Sequence, residues 1–159
     1  MQVERIENTA VMMERYRALL AQGDTLPVPV VGSSMAPFLV HLRDTVLVAA
    51  PVRPLKTGDI VLYQRDSGAY ILHRICAVQG ESFTLIGDAH TVREPGIRRD
   101  QIFGVVVSAQ RKGREQTPGC FWWDFFACVW PRVIAFRPAM LRTYSILIKL
   151  FRRPYESFR

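Results

Sequence analysis

At 159 residues the chain has the length of one ordinary domain with a short appendage. Hydrophobic residues make up 49% and charged residues 22%, and the ten glycines and ten prolines follow no period, which excludes long disorder and collagen-like repeats. The net charge of +7 is uneven: Phe121 to Arg159 holds seven basic residues against two acids and eleven of the 17 aromatics, so a nearly neutral body precedes a basic, aromatic tail.

Val3, Ile6, Ala10, Met13 and Leu20, with Val11, Tyr16 and Leu19 beside them, recur at helical spacing, and Gly23 offers a stop. Residues 2–22 therefore read as an amphipathic helix packed on the body, within an N-terminal unit of residues 1–25. Its charged residues leave no apolar run of signal-peptide length. From Leu26 the period changes. Residues 27–31, 45–48, 59–63, 70–75, 82–86 and 102–107 are short β-branched runs, punctuated by Thr57-Gly58, Ser67-Gly68, Gln79-Gly80 and Pro95-Gly96. Six strands at hairpin spacing with no helix between them predict a mostly β, antiparallel body over residues 26–112, α+β overall. Residues 111–119 form a polar breaker run, and residues 113–159 follow as a helical aromatic and basic tail, interrupted by Pro131 and Pro138. Charged residues interrupt this tail too often for a conventional membrane span.

Gly32-Ser33-Ser34-Met35-Ala36-Pro37-Phe38-Leu39 lies between two of the strand-like runs. Gly32 and Pro37 turn the backbone there and can hold a serine out of the sheet, as a nucleophile needs. An ordinary Ser-rich turn would look the same in isolation. The pattern Gly-x-Ser-Met-x-Pro-x-Leu, however, resembles the nucleophile motif of the signal peptidase I family and of the related LexA-like self-cleaving repressors. Further segments follow in that family's order: residues 43–48 look like the strand after the serine, Gly58-Asp59-Ile60-Val61 like its next turn and strand, and Leu72-His73-Arg74-Ile75 like the strand bearing the general base. Gly87-Asp88-Ala89-His90 resembles the loop box, and Ile102-Phe103-Gly104-Val105-Val106 the closing strand.

The resemblance implies a LexA/signal-peptidase-like β body and serine endopeptidase activity on a signal, leader or precursor peptide. A histidine rather than a lysine at the base position places the chain with the Ser/His branch. Ser34 is then the nucleophile and His73 its base, an imidazole of ordinary pKa near ~6.5. Asp88 is the acid the resemblance offers to orient His73, with an Asp-containing turn as the structural alternative. Glu94 is a reserve carboxylate, and His90, standing where the family has asparagine, is a supporting candidate or a surface loop residue. His41 reads as a surface residue. The three histidines and three cysteines match no familiar metal-ligand spacing, and no metal or cofactor is expected.

The tail can lie in a membrane headgroup plane, cover its own sheet, or dock a protein partner through residues 120–159. Nucleic-acid binding lacks a reading helix or a basic stripe on the body. These features suggest a cytoplasmic or peripheral membrane protein. Two other readings remain: a self-cleaving regulator, and a partner-binding module of the same fold without turnover.

Overall fold

A computed structural model describes residues 2–151, with side chains described from Thr9 to Thr143 and at Ile146. Helix α1 (Gln2–Ala21) ends where Gly23 enters the left-handed region at φ 93°. Leu20 is buried in the core, and Met13 and Tyr16 pack against it. Val11, by contrast, is 70% exposed, so the stripe facing the body is narrower than the apolar spacing alone suggests.

Eight strands follow: β1 (Leu26–Pro29), β2 (Thr45–Ala49), β3 (Ile60–Gln64), β4 (Tyr70–Gln79), β5 (Ser82–Ile86), β6 (Glu94–Arg98), β7 (Ile102–Arg111) and β8 (Arg114–Gln116). They form one antiparallel sheet in the order β1-β2-β7-β3-β4-β5-β6, with β8 paired to β7. The mostly β, α+β class read from the sequence is the observed one.

Two strands lie where the sequence reads as turns. In β6, Pro95 and Gly96 are tolerated because the strand pairs with β5 alone, through a register shift. The β7–β8 hairpin turns on Lys112 (φ 52°) and Gly113 (φ 74°), two consecutive left-handed residues matching the right-handed twist of the strands.

Central β3 explains the unbroken apolar run of its sequence. Ile60 and Leu62 face one hydrophobic cluster, while Val61 and Tyr63 face a second on the other side. The tail contributes to the first cluster. Helix α2 (Phe121–Asp124) passes into a π-helical turn (Phe125–Val129) and two 3-10 turns, and then into α3 (Arg137–Phe151). Trp123, Phe126 and Trp130 are each at most 5% exposed. The Phe38 ring meets Trp123 edge-on at 5.9 Å and Phe126 at 5.0 Å. This part of the tail covers its own body. Phe121, Trp122, Phe136, Met140 and Ile146 stay exposed. Among the described residues no helix is long and apolar enough to cross a membrane.

Candidate functional site

The segment carrying Ser34 is held from both ends. Gly32 takes φ 90°, a conformation that favours glycine, and its N–H donates to His41 Nδ1 at 2.9 Å. His41 is thus a bracket for this loop as well as a surface residue. Leu42 N–H donates to the Val30 carbonyl at 2.8 Å, closing the loop across its base. Buried Asp44 accepts from Val40 N–H and bidentately from Nε and Nη2 along one edge of the Arg43 guanidinium. Burial pushes its pKa up, but these bonds outweigh it and hold the carboxyl below the ordinary value. Met35, Phe38 and Leu39 are at most 2% exposed and anchor the loop in the core. Ser34 is half-buried between exposed Ser33 and buried Met35. Among the described residues, neither its hydroxyl nor its N–H is engaged in a hydrogen bond.

His73 lies mid-strand on β4, paired with Val61 of β3, and is 4% exposed. Its ring and the Ser34 loop converge on Gly87, at the end of β5. A Cβ at Gly87 would stand 2.6 Å from the Ser34 carbonyl oxygen, 3.0 Å from His90 Nδ1 and 3.1 Å from His73 Nε2. Ala89 N–H donates to that same Ser34 carbonyl at 2.8 Å, joining the Ser34 loop to the 87–90 loop. The Ser34 backbone and the His73 ring thus meet at Gly87, with no hydrogen bond between the Ser34 hydroxyl and the ring. Burial lowers the His73 pKa to about 4, with help from nearby His90 and against the pull of Glu94. At neutral pH the ring is an uncharged acceptor. The ordinary value expected from sequence is displaced because a strand interior desolvates it.

Asp88 does not orient His73. Its carboxylate is held bidentately by Arg74 at 2.9 and 2.8 Å, with both side chains fully buried. Strand alternation is the reason: neighbours His73 and Arg74 point to opposite faces of β4, and Asp88 is on the Arg74 side. The carboxylate beside the imidazole is Glu94, whose Oε2 is 3.9 Å from Nδ1. It reaches the site because β6 is a strand. His90 is exposed, with its ring edge-on to His73 at 5.5 Å. Lys56 is an exposed turn residue.

Four residues at the site escape the sequence motifs. Tyr63 and Arg65 join Glu94 behind His73. Trp130 donates its indole N–H to the Asp88 carbonyl at 2.7 Å. Fully buried Arg137 donates to the Gly87, His90 and Trp130 carbonyls at 3.1, 2.6 and 3.1 Å. The alternation of β3 signals that Tyr63 and Arg65 share a face with Val61, the partner of His73. For Trp130 and Arg137, some 40 to 50 residues from the loop they hold, the sequence carries no comparable signal.

Ser34 also lines a cleft of about 170 Å³, walled by Met12, Met13 and Tyr16 of α1, by Val28 and Leu72 of the sheet and by Val30 just after β1. Its lining is largely apolar. No protein-family model matches the chain, and no curated protein sequence matches it.

Proposed function

We propose that this protein is a serine endopeptidase of the signal-peptidase type, with Ser34 as nucleophile and His73 as general base, cleaving a signal, leader or precursor peptide. The observation that carries the reading is the convergence of the Ser34 loop and His73 Nε2 on side-chain-free Gly87. An uncharged imidazole and an unengaged serine hydroxyl are the two reactants a hydroxyl attack requires.

In this reading the substrate lies extended beside β1, whose far side has no strand neighbour among the described residues, and places a small apolar side chain in the cleft next to Ser34. Approach of the scissile carbonyl brings Oγ onto Nε2. Oγ bonds to the carbonyl carbon as its proton passes to Nε2, and the carbonyl oxygen becomes an oxyanion facing the Ser34 N–H. The imidazolium returns that proton to the departing amine as the C–N bond breaks. Water, deprotonated by the same ring, then hydrolyses the acyl ester.

Incubation with a serine-directed peptidyl phosphonate tests the reading. Labelling confined to Ser34, and lost in Ser34→Ala and His73→Ala, is the expected result. An unlabelled but folded protein favours a binding module without turnover, and cleavage within this chain itself favours a self-cleaving regulator.

The place of action is proposed from the tail. Phe121, Trp122, Phe136 and Met140 are exposed beside exposed Arg132 and Arg142, a pairing suited to the headgroup region of an anionic membrane.

A further inference from the structure

The carboxylate nearest His73 does not touch it: Tyr63 stands between them. Tyr63 is fully buried on β3, where it pairs with Ile71 and sits diagonally across from His73 on the same face. Its hydroxyl oxygen is 2.6 Å from Glu94 Oε2 and 3.3 Å from His73 Nδ1. Arg65 grips the same carboxylate at 2.7 and 2.6 Å.

Proton bookkeeping then leaves one arrangement. Burial pushes the Glu94 pKa up, but its bonds to Arg65 and Tyr63 outweigh that and keep it ionised. An ionised carboxylate only accepts, so the phenol proton points to Glu94. The phenol oxygen presents only lone pairs to His73 Nδ1, which must carry a proton to bond with it. Nε2 is then the bare nitrogen, and it is the one beside Gly87 and the Ser34 loop.

We propose that Tyr63, polarised by the Glu94–Arg65 pair, is the positioning residue that fixes the His73 tautomer and aims Nε2 at Ser34. The purpose of the relay rests on the Ser34–His73 reading above; the tautomer does not. A neutral phenol in contact with the ring stabilises an imidazolium less than a carboxylate in direct contact does. His90 and Arg65 oppose the charge as well, and Glu94 alone favours it.

Nitrogen NMR of ¹⁵N-histidine-labelled full-length protein tests the relay without reference to activity. In the wild type His73 should show one tautomer at neutral pH, protonated at Nδ1. Tyr63→Phe should give a mixture. Glu94→Gln should populate the Nε2-protonated form, because an amide N–H can donate to the phenol oxygen and free the phenol proton for Nδ1. Phosphonate labelling of Ser34 should slow about ten-fold or more in Tyr63→Phe, with the melting temperature measured alongside. An unchanged His73 tautomer and titration in Tyr63→Phe overturns the proposal. If Tyr63→Phe does not fold, the tautomer in Glu94→Gln decides it. If the wild type resists the phosphonate while Tyr63→Phe still loses the single tautomer, the relay stands and the peptidase reading falls.

Discussion

Gly87 is the residue on which the site turns, because its missing side chain is what lets three groups meet. An added Cβ would press on the Ser34 carbonyl at 2.6 Å, a backbone atom anchored by Ala89 N–H, so the contact cannot be relieved by a rotamer change. Gly87→Ala is expected to cost about 1–3 kcal/mol in urea denaturation and to slow phosphonate labelling well beyond what that loss explains. His73 sets the pH response. Its pKa is about 4 folded against 6.5 ordinarily, so as pH falls the unfolded chain takes up this proton first. The stabilisation is complete above pH 6.5 and is lost progressively down to about 4, at most about 3 kcal/mol in all. A His73→Gln variant should show a correspondingly flatter stability profile across that window. If Ser34 and His73 act as proposed, activity should rise with pH around a midpoint near 4 and be level at neutrality, since only the neutral ring accepts the serine proton. A kcat/KM midpoint near 6.5 would contradict the buried setting of the ring.

Strand alternation on β4 divides the labour between neighbouring residues. His73 turns towards β3 and β6 with Tyr63 and Glu94; Arg74 turns towards the opposite face, over the Phe38 ring, and holds Asp88. Asp88 is structural in this arrangement: it neutralises a buried guanidinium and shapes the 87–90 loop. The segment after α2 completes the shape, since Arg137 takes the carbonyls of Gly87, His90 and Trp130. Arg137→Met removes a charged donor from the Gly87, His90 and Trp130 carbonyls, two of them in buried hydrogen bonds, and should destabilise by about 3 kcal/mol. It should also slow Ser34 labelling, although Arg137 touches neither Ser34 nor His73 in any hydrogen bond. Trp130→Phe, which keeps most of the ring packing and removes the donor to the Asp88 carbonyl, should be milder on stability.

At the scale of the molecule, the tail's part in the core and its proposed membrane contact cannot be separated by truncation. Trp123, Phe126 and Trp130 complete the core that anchors Phe38 and Leu39 behind Ser34, so removing residues 120–159 should unfold the body and not merely release it from a surface. The proposed membrane contact is therefore tested with Phe121→Ser, Trp122→Ser and Phe136→Ser together, all at exposed positions. The triple variant should keep its melting temperature and lose sedimentation with phosphatidylglycerol vesicles at low salt. Equal sedimentation of variant and wild type would remove these three aromatics from the contact.

Much of this was legible in the chain itself. Alternating β-branched runs with Gly turns specified an antiparallel body, because period-two burial needs no distant information. The Gly32–Leu39 segment and His73 stood out as reactive residue types in a constrained setting. What the linear order could not convey was which charged groups share a strand face after pairing. That choice separated Asp88 from His73, and it required β6, an edge strand too polar and proline-bearing to announce itself. It also joined Tyr63, Arg65 and Glu94 into one network. The tail was ambiguous for the same reason. Its aromatics suit a membrane, a partner or a core equally well by composition, and only long-range packing buries Trp123, Phe126 and Trp130 while leaving Phe121, Trp122 and Phe136 outside. Local pattern determines the central strands and the first helix; the edge strands β6 and β8 and the burial of each side chain are decided by what folds against them.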